Sequence, residues 1–419
     1  MAAMCTLQVC KAWRVVIKQP TLFTRIGMRT GHWASDGVRV SSANAMRLVE
    51  WLPDVTVVQS LKLHVGDKHN WIAPDVTKKI LPRFTGLTSL SLDGKKISGA
   101  LLAHLAKQPF AANLVSFELG GDCTANNNEA IPLLRQASRL EALTISLGYA
   151  GNQGFLSSLA SSWRTARGGA GTPLLRSLVL TGWSSSCKIL SGHDFSALPE
   201  LFPELEKLDC SLEGKSQLRP PPQSLQRLSN LTVHALMHAF GTRHLTTEEC
   251  GHMLCSIFLA APNLEKLSIH HGDMHVSGQA RKAGKRADPY PGIQGALAEL
   301  PQTLTSLVLG QMTLSATDLD MHPGLPALQR LVLSRCGPEA IGLANAAVTD
   351  RTKCPWLEAK RVYTAESNGK LVCLDPEVES RAKAAEEAAA SEAAAKRAAA
   401  LANTSIRHGS RPVSSLEGF

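Results

Sequence analysis

At 419 residues, with 44% hydrophobic and 19% charged residues, the chain can bury a substantial interior and does not belong to the disordered class. No apolar run approaches the roughly 20 residues that a bilayer crossing needs, and Lys11, Arg14 and Lys18 interrupt the stretch where a secretory signal would require an unbroken apolar core. A formal net charge of +9 is moderate for the length and spread along it, so it pulls only weakly towards acidic partners, and nucleic acid is not expected as the ligand.

These exclusions point to a soluble, cytoplasmic protein, with a nuclear or cytoskeletal location left open. The ten cysteines are scattered, contain no C-x-x-C pair that could begin a zinc site, and are expected to be buried reduced thiols.

In chain order the first element is residues 1–30, expected to form a short helical segment. Leu7, Val9, Cys10, Lys11, Trp13 and Arg14 are followed by Pro20 and the apolar-aromatic pair Leu22 and Phe23. This V-C-K-x-W-R helix with its trailing Pro resembles the second half of an F-box. The half that such a domain opens with Leu-Pro and an acidic residue would lie upstream of Met1. The resemblance implies a subunit that docks on a Skp-type adaptor and chooses substrates for a cullin-based ubiquitin ligase. The residues alone equally describe an amphipathic helix closing the open end of the core that follows, with Trp13 buried against it.

The next 300 residues repeat themselves. L-x-x-L-x-L, with apolar substitutions, begins at Val58, Leu87, Leu114, Leu140, Leu175, Leu205, Leu228, Leu264, Leu304 and Leu328. The final apolar pair of each hexapeptide alternates with polar residues, as a strand with one buried face requires. Between units lie helical patterns. The clearest runs from Thr246 to Ala261, where Thr246 and Glu249 suit a capping box and Cys250, Met253, Leu254, Ile257 and Phe258 form one stripe. Leu101, Leu102 and Leu105 give a shorter version.

Ten such units resemble the leucine-rich repeat family, over about residues 55–365. The resemblance implies an α/β solenoid, a horseshoe of parallel strands backed by helices, with the helical segment as its N-terminal cap. The family's Asn or Cys three residues after the motif is matched by Cys336, while Lys95, Asp122 and Gly272 occupy that place in other units.

Two inserts break the pattern. HVSGQARKAGKRADPYP from His275 to Pro291 reads as a solvated basic loop, and SSWRTARGGAGTP from Ser161 as a flexible excursion. Residues 376–402 are Ala-rich and Glu-rich, with high helix propensity and almost no large apolar side chain. They are expected to form an exposed helical tail, followed by a disordered end over 403–419.

The search for chemistry finds little. There is no P-loop, no G-x-S-x-G and no G-x-G-x-x-G. His270, His271, Asp273 and His275 are metal-ligand types, but strand alternation sends neighbours to opposite sides, so neither a metal nor any cofactor is expected. No catalytic residue is assigned, and the chain is not expected to be an enzyme.

What remains is binding. The outward strand residues include Lys62, Asp93, Glu118, Lys207, Asp209, Lys266, His270 and Arg330, with Val179, Val308 and Val332 as exposed valines. They line the hollow of the expected horseshoe and are the candidate contacts for a protein partner. A substrate receptor of F-box type and a repeat scaffold on the cytoskeleton or an axoneme both fit such a surface.

Overall fold

In parallel strand pairing, every return to the sheet needs a crossover of a dozen or more residues, and the leucine hexapeptides are spaced to allow one each time. In the computed structural model the described residues are 24–28, 42–52, 54–65, 72–94, 97–120, 127–147, 155–166, 174–182, 192–213, 222–237, 247–270, 296–310, 326–334, 336, 361–365 and 371–373, with five positions between 380 and 391. Each of the ten hexapeptides contributes a strand, and three further strands extend the sheet.

The strands are β1 (Arg25–Met28), β2 (Ser60–His64), β3 (Ser89–Asp93), β4 (Ser116–Gly120), β5 (Ala142–Leu147), β6 (Ser177–Gly182) and β7 (Lys207–Glu213). They continue as β8 (Asn230–Met237), β9 (Lys266–His270), β10 (Ser306–Gly310), β11 (Arg330–Ser334), β12 (Arg361–Ala365) and β13 (Leu371–Cys373). All lie side by side in chain order in one open sheet. Eleven successive pairings, β1 through β12, are parallel, and β13 folds back antiparallel on β12. At about 4.8 Å per strand, the parallel part is roughly 53 Å wide.

The repeat is visible in the backbone as well as in the leucines. At each of ten junctions one carbonyl, two residues before the second inward residue of its strand, accepts from two consecutive N–H groups of the next unit. Gln59 O thus receives Thr88 N and Ser89 N, and Glu265 O receives Thr305 N and Ser306 N, each at 2.7 to 3.1 Å. Satisfying the entry to every strand in the same way holds the units in one register. Leu61, Leu90, Phe117, Leu143, Leu178, Leu208, Leu231, Leu267, Leu307 and Leu331 consequently stand directly beside one another.

The helices between strands cover one side of the sheet. They are α1 (Ser42–Trp51), α2 (Pro74–Ile80), α3 (Gly99–Leu105), α4 (Asn127–Gln136), α5 (Phe155–Ala166), α6 (Gly192–Leu201) and α7 (Thr247–Ala260). Their starts follow from local chemistry: Pro74 opens α2 where its missing N–H costs nothing, and the Ser98 hydroxyl caps α3 by accepting from Leu101 N at 3.3 Å. Leu101, Leu102 and Leu105 of α3, and Met253, Leu254, Ile257 and Phe258 of α7, are buried. They join the strand leucines in one continuous core that runs from Ala45 to Cys336.

The segment from Ser161 departs from the flexible excursion read in the sequence. Its first residues complete α5, and Trp163 is fully buried. Phe155, Leu156, Leu159, Ala160 and Trp163 recur at helical spacing and are all buried, so the apolar stripe continues across the point where the Gly-rich run suggested a break. The sheet itself begins at Arg25, inside the segment read as helical.

Of the tail, Ser380, Ala384, Glu387, Ala388 and Ser391 are helical and exposed. The F-box-like residues Leu7 to Phe23, the proposed cap residue Thr246, the insert from His275 to Pro291, and His271, Asp273 and His275 lie outside the described residues.

Candidate functional site

With the even strand positions committed to the core, the odd ones form three rows on the side of the sheet away from the helices. The first row runs Ser60, Ser89, Ser116, Ala142 and Ser177 over β2 to β6, then Lys207, Asn230, Lys266, Ser306, Arg330 and Arg361 over β7 to β12. Its early half is therefore small and uncharged, and its later half is basic.

The middle row contains Lys62, Ser91, Glu118, Thr144, Val179, Asp209, Thr232, Ser268, Val308 and Val332. Lys62 on β2 reaches over β3 to Glu118 on β4, donating from Nζ to both carboxylate oxygens at 3.3 Å. The bridge passes above Ser91, which is 8% exposed. Ser91 is the short side chain that lets a lysine and a glutamate two strands apart meet.

In the third row, His64 Nε2 lies 3.1 Å from Asp93 Oδ2 on the neighbouring strand. Lys62 and Glu118 thus stand as a charged pair, and Asp93 has the His64 ring beside it. Asp93, Lys62 and Glu118, expected as partner contacts, are engaged with one another or with His64.

The later half is arranged differently. Lys207 and Lys266 are exposed, and neither enters an ion pair among the described residues. Arg330 and Asp209 are half-buried. His270 ends β9 in register with His234 of β8 and Gly310 of β10. Thus all eight candidate positions fall in the outward rows, but they divide into Lys62, Glu118 and Asp93, which have partners within β2 to β4, and a later set in which Lys207, Lys266 and Arg330 are joined by the acid Asp209.

Two outward residues are not exposed as the sequence suggested. Val332 is 2% exposed, standing beside Val308 across the strand gap, where a branched neighbour about 5 Å away covers it. It lies outside the continuous core, so this end of the outer face has a small apolar contact of its own. Ser91 is covered by the Lys62 and Glu118 bridge. Val179 and Val308 remain partly exposed.

Arg361 is a basic row member that the hexapeptide pattern missed. A dipeptide of Arg and Val at the register of Arg330 and Leu331 was the available signal.

Three described cysteines are free thiols. Burial, with Asp209 nearby adding to it, pushes the Cys210 thiol far above its ordinary value. Burial and then Glu299 raise Cys255. Cys336, at the family's turn position, is buried and donates from Sγ to Leu309 O of the preceding unit at 3.4 Å. Neither Cys210 nor Cys255 is thereby activated as a nucleophile.

Among the described residues no helix is long and apolar enough to cross a membrane. Neither the comparison with protein families nor that with curated proteins yields a match. Among solved structures the chain is similar to one in the crystal structure of the Rad7 and Elc1 complex in yeast. The identity is 18%, the match covers 71% of this chain and 77% of that one, and the TM-score is 0.37.

Proposed function

We propose that this chain is a protein-binding subunit rather than an enzyme. It would hold its partner on the outer face of the sheet, as the substrate receptor of a cullin-type ubiquitin ligase. The observation that carries the binding part is the outer face itself. Eleven in-register pairings present rows of small and charged side chains, and the described helices pack on the opposite side. Sheets of this length bury one face and leave the other as a rigid platform, on which a partner loses little conformational freedom to the receptor.

In this reading the sheet is curved as in leucine-rich repeats, so the outer face is concave and long enough to follow an extended segment of the partner. The ligase part rests on the F-box-like pattern from Leu7 to Phe23, which would bring a Skp-type adaptor to the β1 end. Substrate and adaptor would then be held at separate places on one stiff body, which is the geometry a receptor subunit needs.

A photo-crosslinking amino acid at Thr232, on the outer face, and at His252, on the exposed side of α7, tests both parts in cells. The proposal expects a protein captured from Thr232 and not from His252, whose ubiquitination falls when the chain is depleted. Capture from His252 alone would remove the outer face as the site. Capture from Thr232 with a Skp-type adaptor absent from the complex, and no change in ubiquitination, would leave a scaffold without ligase connection.

A further inference from the structure

We infer that the later half of the outer face, from β7 to β12, takes an acidic peptide segment in the polyproline II conformation, with a carboxylate or phosphate on every third residue. This rests on the reading of the outer face as a protein-binding surface and names the chemistry of its ligand.

The argument begins with spacing. In the first row, Lys207, Lys266 and Arg330 stand on β7, β9 and β11, separated by Asn230 on β8 and Ser306 on β10. Positive charge therefore recurs every second strand, roughly 9.6 Å. A polyproline II helix has three residues per turn and rises about 3.1 Å for each, so every third side chain returns to the same side after about 9.3 Å. Measured at the strand backbones, the two repeats match to within a few tenths of an ångström per step. A flat β-strand does not match, because its same-face residues are about 6.7 Å apart.

The chemistry between the charges fits the same ligand. Polyproline II backbone makes no internal hydrogen bonds, so its carbonyls and amides need partners. Asn230 and Ser306 supply short donors and acceptors where the peptide backbone would pass between two anchored side chains.

Charge complementarity favours an anionic ligand over a neutral one. Lys207 and Lys266 are exposed and outside any ion pair among the described residues, in contrast to Lys62, which Glu118 neutralises. The nearby acids do not occupy the row: Glu206 is held by Arg176 at 3.6 Å, Glu265 precedes β9, and Asp209 stands in the middle row of β7.

The test uses the full chain and a labelled twelve-residue peptide of Pro, Ala and Gln with Glu at every third position, read by fluorescence anisotropy. The comparators are the same composition with its Glu residues contiguous, a version with Gln for every Glu, one with phosphoserine for Glu, and a thymidine oligonucleotide. The spaced Glu or phosphoserine peptide is expected to bind at least tenfold more tightly than the contiguous and neutral ones, and more weakly as salt rises. The triple variant Lys207→Gln, Lys266→Gln and Arg330→Gln, with an unchanged circular dichroism spectrum, should lose at least tenfold. If that variant loses its fold, the pair Lys207→Gln and Lys266→Gln, both on exposed side chains, carries the same expectation.

Equal binding of the contiguous peptide, full binding by the variants, or tighter binding of the oligonucleotide overturns the inference. If these peptides fail while Thr232 still captures a protein in cells, the ligand chemistry is wrong and the binding face stands. If both fail, the face itself is wrong.

Discussion

Replacing Trp163 tests how the units are joined, because this side chain links two repeats by both packing and a hydrogen bond. It is fully buried in α5, its indole N–H donates to Leu134 O in the last turn of α4 at 2.7 Å, and its ring meets Phe202 edge-on at 6.1 Å. Leu134 O also accepts from Ala137 N at 3.1 Å, so losing the indole would leave that carbonyl with one partner. Trp163→Phe therefore costs about 1 kcal/mol for the hydrogen bond and a similar amount for the smaller ring, roughly 2 kcal/mol in total. Trp163→Ala adds the large cavity and should cost about 4 to 6 kcal/mol. That approaches the whole stability of an ordinary domain. Because repeat arrays are held by nearest-neighbour contacts, the loss should appear first as faster amide exchange in α4, α5 and α6, and then as an earlier urea transition by circular dichroism. If both variants unfold within 0.5 kcal/mol (roughly the scatter of neutral surface changes) of the native chain, the packing described for α5 is wrong.

Gly86→Ala should destabilise by about 1 to 3 kcal/mol, since a Cβ there would fall 1.9 Å from the backbone oxygen of Thr56; thermal melting checks it, and an unchanged midpoint would deny the close approach of these two units. A double-mutant cycle on Lys62→Met and Glu118→Gln should give a coupling of only about 0.2 to 1 kcal/mol, shrinking with salt, because both groups are over a third exposed. Cys210 should resist alkylation until the chain unfolds. Its raised folded value means the folded state keeps a proton that the unfolded state releases above roughly pH 8.5. Stability should therefore fall as pH rises beyond that point, less so in Cys210→Ala, as urea titrations at successive pH values would reveal.

The open parallel sheet was legible because its cause is local. Each hexapeptide carries its own burial pattern, and the leading residues Leu87, Leu140, Leu264 and Leu304 are all fully buried. The parallel strands that escaped notice are those whose residues in register with the leucines are not themselves leucine. Counted by register, β1 reads Phe23-x-x-Ile26-x-Met28 and β12 reads Ala359-x-x-Val362-x-Thr364. A broader apolar template finds the first. The second could not be read, because Ala and Thr are as common in loops as in strands.

Which outward residues are exposed was less legible, because exposure depends on neighbours in other units. Lys62 and Glu118 are 56 positions apart, and only the pairing of β2, β3 and β4 places them two strands from one another, with a serine between. The same distance rule sets Lys207, Lys266 and Arg330 two strands apart, but with like charges the outcome reverses. Opposite charges at this separation close over the strand between them and give up their charge to each other. Like charges at the same separation cannot pair with each other, and Lys207 and Lys266 stand exposed outside any ion pair among the described residues. The register that hides Ser91 under an ion pair is therefore also what gives Lys207 and Lys266 only neutral or like-charged side chains two strands away in their row.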